Sequence, residues 1–214
     1  MIIAVDGPTA SGKGTISKEL AKHFNLPFLD TGLLYRAVGW ALREQGGDSA
    51  NAIDALAACT FDSALLNNPG LRSEIVGGLA SRVSVHPEVR RALDKRQKDF
   101  PSQPAGAVLD GRDIGTVIAP NADVKLFVTA SSEARAVRRF EEMKRRKEPA
   151  NFDDILADIL KRDERDQNRD TAPLKPAKDA DLLDTTDLTI DAAIQQAIAL
   201  VNAKKSSRQH KDPA

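Results

Sequence analysis

The sequence predicts an α/β protein built on a parallel sheet with helices on both faces. Three observations carry this expectation. Residues 2–5 (IIAV) are a short, unbroken, mostly β-branched run, the mark of a strand buried on both faces. Strand-like and helix-like segments then alternate along the chain, as in parallel βαβ units. A glycine loop with the spacing G-x-x-x-x-G-K joins the first strand to the first helix.

In chain order, Ile16, Leu20 and Phe24 repeat at i, i+4, i+8 and predict a helix from Lys13, stopped by Asn25-Leu26-Pro27. Pro27-Phe28-Leu29-Asp30 is a second strand. Leu33, Leu34, Ala37, Val38 and Ala41 predict a helix after Thr31 that closes at Gly46-Gly47. The stretch up to Ala105 is too long for a simple crossover. Its further helical patterns, Ile75, Val76, Leu79, Ala80, Val83 and then Val89, Ala92, Leu93 after Pro87, predict an inserted helical subdomain over residues 32–104. Asn67-Asn68-Pro69-Gly70 is a turn inside it. Strands follow at Ala107-Val108-Leu109-Asp110 and Val124-Lys125-Leu126-Phe127-Val128, a helix from near Ser132, and a weak strand at Leu182-Leu183-Asp184. Ile190, Ile194, Ile198 and Val201 predict a final amphipathic helix, and residues 204–214 a frayed polar tail. The whole, residues 1–214, reads as one domain whose core is residues 1–31 and 105–203.

Composition narrows the function. The 214 residues include 41% hydrophobic and 29% charged side chains, ordinary values for a chain with a real core. Lys and Arg number 31 and Asp and Glu number 31, which argues against nucleic acid held by bulk positive charge. Cys59 is alone and forms no internal disulfide, and His23, His86 and His210 stand in no zinc-ligand spacing. No apolar run approaches the roughly 18 residues of a membrane span, and no basic segment precedes the first strand, so a cytosolic protein without nucleic-acid or membrane partners is expected.

Gly7, Pro8, Thr9, Ala10, Ser11, Gly12, Lys13, Gly14 and Thr15 have the spacing of a phosphate-cradling loop. Glycines let backbone N–H groups turn around an anion, the helix N-terminus adds partial positive charge, and Lys13 reaches the terminal phosphates. The hydroxyl that usually follows the lysine is displaced by Gly14 onto Thr15, which makes Thr15 a weaker metal contact.

Asp30, Thr31, Tyr35 and Arg36 stand where the second strand passes into a helix, and ligands bind at the carboxyl ends of strands in parallel sheets. Asp30 or Thr31 can also cap that helix. Asp110-Gly111-Arg112-Asp113 closes another core strand, and two acids and an arginine there are costly to bury without a charged ligand. Arg162, Asp166 and Arg169, at i, i+4, i+7, are expected on one helix face, opposite Ile155, Leu156, Ile159 and Leu160. Residues 135–147 hold seven Lys and Arg and two acids, a local excess that suits a polyphosphate better than nucleic acid, since a single aromatic, Phe140, gives no interleaved platform for stacking bases.

These segments resemble bacterial cytidylate kinases of the nucleoside monophosphate kinase group, over nearly the whole chain. The quoted likenesses are G-P-T-A-S-G-K-G-T, L-D-T-G-L-L-Y-R, S-R-V-S-V-H-P-E-V-R-R-A-L, L-D-G-R-D-I-G-T-V-I-A-P-N-A and R-D-E-R-D-Q-N-R. The resemblance implies a P-loop NTPase fold with a five-stranded parallel sheet, a monophosphate-binding insertion and a lid over residues 144–170. It implies transfer of phosphate from ATP, with Mg²⁺, to CMP or dCMP, by a protein expected to be a monomer. Residues 7–15 would hold ATP; Arg36 and Arg112 would grip the CMP phosphate, with Asp30, Thr31 and Tyr35 lining its pocket. Ser81, Arg90 and Asp113 would read the cytosine edge, and Arg162, Asp166 and Arg169 would reach the ribose and the phosphates in transfer. Lys13, Arg112, Arg162 and Arg169 would be the catalytic set. Many members carry an extra β-rich stretch before the segment matching residues 72–81; here only residues 60–71 fill that space. Rival readings are a kinase for AMP, UMP or shikimate, and a regulatory nucleotide-binding module; the absence of an N-K-x-D segment disfavours a GTP switch.

Overall fold

The computed structural model describes residues 1–209. Five strands, β1 Ile2–Asp6, β2 Phe28–Asp30, β3 Ala107–Gly111, β4 Val124–Thr129 and β5 Asp181–Asp184, form one parallel sheet in the order β2-β3-β1-β4-β5. The register pairs Asp30 with Asp110 and Asp6 with Gly111, so β1, β2 and β3 end within one residue of a common level, with Asp6, Asp30 and Asp110 at or next to their carboxyl ends. The sheet edge where a ligand is expected is thus set by the register itself.

Alternation along each strand sends side chains to two buried layers. Ile3, Val5, Val108 and Leu126 pack with α1 (Lys13–His23) and α8 (Ile190–Gln209), while Ala4, Leu109, Ile114 and Ile118 form the core of the other face. The expected strands and the first two helices are present. The insertion carries α2 (Thr31–Glu44), α3 (Ala52–Ala57), α4 (Glu74–Val83) and α5 (Pro87–Asp99) around its own core of Leu34, Val38, Leu42, Val83, Val89 and Leu93. A long α6 (Ser132–Arg145) and α7 (Phe152–Asn168) then form a hairpin beside the cavity. Among the described residues no helix is long and apolar enough to cross a membrane.

Four features differ from the sequence expectation. Helix α3 and two 3-10 turns, Ser63–Asn67 and Pro69–Arg72, occupy a stretch with no readable period. Small Ala55 and Ala58 do the packing there while Ile53 stays exposed, so the signal rests on side-chain caps at Asn51, Asp62 and Asn68 instead. In α8 the fully buried residues are Ala193, Ala197 and Val201; Ile194 and Ile198 flank them and Ile190 is half exposed. Residues 204–209 continue that helix instead of fraying, with Lys204 Nζ 3.4 Å from Asp181 Oδ1 and Lys205 over the Phe24 ring. Residues 210–214 of the expected tail lie outside the described residues. Finally, Ile155 and Ile159 share a stripe with Arg162 and Asp166 instead of opposing it, and Arg169 lies beyond the helix end in extended backbone. The wall that α7 presents is both apolar and charged because it turns from a core into a polar cavity.

Candidate active site

The loop after β1 folds as its glycines require. Gly7 carries φ +152°, and a Cβ there would sit 2.0 Å from the Val128 carbonyl oxygen, so no other residue passes under β4. Gly12, at φ +87°, turns the chain into α1. The loop carbonyls are occupied from outside: Thr185 Oγ1 donates to Ser11 O at 3.0 Å, and Arg135 Nη1 donates to Thr9 O at 3.4 Å. That leaves the N–H groups for the inside of the turn, at the positive end of α1. Gly7 and Pro8 are buried beneath the loop, whereas Thr9 to Thr15 face a cavity of about 780 Å³. Every other residue expected at the site lines the same cavity.

Lys13 Nζ lies 3.6 Å from Asp110 Oδ1. Burial, with Arg112 adding, lowers its pKa to about 8. Burial raises the Asp110 carboxyl, against the pull of Lys13. Asp30 occupies the N-terminal cap position of α2 without making a cap bond; its carboxylate faces Arg72 at 4.0 Å, and Thr31 Oγ1 donates instead to Asp110 O at 2.8 Å. Arg36 is held by the carbonyls of Leu71 and Ser73 at 2.7 and 3.0 Å, and its guanidinium lies against Gly77, where a Cβ would come within 2.8 Å.

Across the cavity the acids and arginines form two groups. Asp166 accepts from Ser81 Oγ at 3.1 Å and Arg112 Nε at 3.3 Å, with Arg162 Nε at 3.9 Å. Burial pushes this carboxyl up, but Arg112, Arg162 and Arg169 outweigh it and hold it below the usual range. Asp113 pairs with Arg90 and, at 3.4 Å, with Arg169; burial pushes its pKa up against both. Arg169 also donates to Ala172 O at 2.6 Å, which fixes it on the Asp113 side. The Tyr35 ring lies beside Arg90.

The arginines are not neutralised. Burial, opposed by Asp30 and assisted by Arg139 and Arg112, lowers Arg36 to about 10; burial and Arg112 lower Arg162 to about 9. Thirteen Lys and Arg and eight Asp and Glu line the cavity, so it holds an excess of positive charge ready for an anion.

The basic run of residues 135–147 is used differently from the expectation. Arg135 makes two bonds to Asp163, at 3.0 and 2.6 Å, and Arg138 bonds Thr185, so both brace the loop and the helical hairpin. Arg139 and Arg146 line the cavity but pair with Glu74 and Glu142. Sequence reasoning missed Asp6, Arg72, Arg165 and Thr185. Arg165, whose Nη1 donates to Ser81 Oγ at 2.9 Å, sits inside R-D-E-R-D and was within reach; the others carry no local signal. Asp6 accepts from the N–H groups of Ile114 and Gly115, both at 2.8 Å, and burial raises it to about 7. Cys59 packs half-buried in the insertion core, and burial raises its thiol to about 11.

A family model described as cytidylate kinase matches residues 3–203. The chain is 54% identical to a cytidylate kinase of Rhodopseudomonas palustris (strain CGA009) over 210 residues, covering 98% of this chain and 99% of that one. A cytidylate kinase of Bradyrhizobium sp. (strain ORS 278) is 55% identical with the same coverage, and one of Methylocella silvestris is 51% identical over the full length of both. In fold it is similar to a crystal structure of an uncharacterized protein from Eubacterium ventriosum, with a TM-score of 0.52 at 16% identity, covering 95% of this chain and 99% of that chain. Matched from end to end by half-identical relatives and across its sheet, insertion and hairpin by one family model, this chain belongs to the cytidylate kinase family.

Proposed function

We propose that the chain transfers the terminal phosphoryl group of ATP to the phosphate of CMP or dCMP, giving ADP and CDP or dCDP. The observation that carries this reading is the meeting of two anion sites in one cavity: the glycine loop with Lys13 on one side, and Arg36, Arg112 and Arg162 on the other. Two phosphate-bearing substrates supply the negative charge that the cavity lacks.

In this reading the N–H groups of residues 9–15 cradle the ATP phosphates and Lys13 bridges the terminal ones. Arg36 and Arg112 hold the acceptor phosphate, beside Asp30, Thr31 and Tyr35, because a guanidinium grips two oxygens in a plane. Ser81, Arg90 and Asp113 face the cytosine edge: Asp113 accepts from the C4 amino group and Arg90 donates to N3. Uracil reverses both positions, leaving the carboxylate against a carbonyl oxygen and the guanidinium against an N–H. Arg162, Asp166 and Arg169 serve the ribose and the moving phosphoryl group. Transfer then needs alignment and charge neutralisation; the acceptor oxygen is already ionised near pH 7, so no strong base is required.

A divalent cation fits this donor set. Asp110 Oδ1 accepts no hydrogen bond beyond its 3.6 Å ion pair with Lys13, and Thr15 is exposed at the cavity. That chemistry suits Mg²⁺, which keeps its waters and takes one or two protein oxygens plus phosphates, here from Asp110 and Thr15. When bound, the ion offsets charge along the phosphate chain. Residues 32–104 and 144–170 act as the two closing parts that exclude water. The Asp166–Ser81 bond already joins them.

ADP release measured with CMP, dCMP, UMP, AMP and shikimate as acceptors tests the reading. CMP and dCMP should be preferred; release that favours AMP or shikimate, or that needs no acceptor, would overturn it.

A further inference from the structure

We propose that Asp6 is a positioning residue for acceptor recognition: its carboxylate clamps the N–H groups of Ile114 and Gly115 and so fixes the turn from which Arg112 and Asp113 enter the cavity. The inference rests on the reading of Asp113 as the group that meets the cytosine edge.

Asp6 is the last residue of β1, 4% exposed, and the next residue opens the phosphate loop. Its two oxygens each accept one N–H at 2.8 Å, from consecutive residues that begin the π-helical turn Ile114–Ile118. The first of these N–H groups belongs to the peptide unit that starts at Asp113. The carbonyl of the same unit accepts from Val117 N at 2.8 Å and from Ile118 N at 3.3 Å. The peptide plane is thus held at both ends, and with it the direction in which the Asp113 side chain leaves the backbone toward Arg90 and Arg169.

Two features argue that this is more than a satisfied turn. β1 is already fixed by five register pairs to β3 and four to β4, so the strand does not need this clamp to stay in place. Burying a carboxylate is also costly when a serine or asparagine suffices to cap a turn. What the ionised form adds, favoured by those N–H groups against a burial that raises Asp6 to about 7, is two charge-assisted bonds of fixed geometry from a single rigid strand end. Because Gly7 follows directly, the donor loop and the acceptor turn share one origin, and the distance between the two substrates is referred to Asp6. Gly115 is part of the same fit: a Cβ there would stand 3.2 Å from Lys125 Cδ and 3.4 Å from Asp6 Oδ2.

Asp6→Asn keeps the size but sets an NH₂ against one of the two N–H groups. Hydrogen exchange across residues 112–118 should rise about tenfold or more. The kcat/KM for CMP should fall about tenfold and that for UMP less, with KM for ATP little changed. In an Asp113→Ala background, Asp6→Asn should add no further change to the CMP:UMP ratio. Unchanged exchange would overturn the clamp, and equal losses for CMP and UMP would overturn its part in recognition. If Asp113→Ala alone leaves the CMP:UMP ratio intact, the base-reading assignment fails. The clamp is then decided by exchange and by KM for CMP, which must rise while KM for ATP holds. Should Asp6→Asn not fold, Gly115→Ala crowds the same carboxylate with every charge in place, and the same readouts apply with smaller shifts.

Discussion

The two sides of the cavity are made of different material. The side proposed for the phosphate donor is mostly backbone: seven consecutive residues, Thr9 to Thr15, a helix N-terminus and one lysine, with the loop carbonyls tied down by Thr185 and Arg135. The acceptor side is built from side chains drawn from α2, α4, α5, the turn after β3, and α7, and held by Asp113 and Asp166 in two clusters of ion pairs. A backbone cradle recognises any phosphate chain, because N–H groups carry no information about the base. A set of buried charges recognises one pattern of donors and acceptors and is penalised by another. Generic chemistry is therefore local in the chain, and specificity is dispersed.

The largest expected effect separates the two sides by removing the one donor side chain. Lys13→Ala should lower kcat by on the order of a hundredfold to a thousandfold, the loss seen when one preorganised charge partner is taken from a transition state. Its melting temperature should stay within a few degrees, since a lysine at a loop tip adds little to the core. Asp113→Ala attacks the other side. It leaves Arg90 and Arg169 without their partner, a cost of about 1–3 kcal/mol per group, and should fall on CMP far more than on UMP.

A pH profile sharpens the contrast without a mutation. In the proposed reading cationic Lys13 is the binding form, and in the free protein its pKa is about 8. The kcat/KM for ATP should therefore fall about tenfold per pH unit above that value, whereas kcat, which reports the occupied site, should hold to higher pH because bound phosphates favour the ammonium. A common break point in both profiles would mean that Lys13 does not meet the phosphates. The smallest effect lies far from the cavity. Deleting residues 204–214 removes the Lys204–Asp181 pair and the Lys205–Phe24 contact. Together these contribute about 1 kcal/mol, so the melting temperature should drop by about 2–4 °C with kcat unchanged.

The same contrast governs what could be read from the chain. Strand β1 and the glycine loop were legible because neighbours in sequence are neighbours in space. The roles proposed for Arg36, Arg90 and Asp113 were available only through family resemblance, and their actual partners were not. Arg90 meets Asp113 through folding of the insertion, and Arg169 reaches the same acid only because α7 ends one residue before it. The α7 stripe misled for a related reason: amphipathic reasoning assumes that one face is apolar, whereas this helix passes from a core at Ile155 to a charged cavity at Asp166 along a single face. Asp6 gave no signal at all. Nothing local distinguishes the end of a strand from a clamp whose partners lie more than a hundred residues away.

The most direct test of a generic donor side and a specific acceptor side is the ratio of kcat/KM for CMP to that for UMP, measured side by side in the unaltered chain, Lys13→Ala and Asp113→Ala. The account predicts a ratio that Lys13→Ala leaves intact, although both activities fall, and that Asp113→Ala collapses by about tenfold or more. A ratio preserved in Asp113→Ala, or lost in Lys13→Ala, would contradict it.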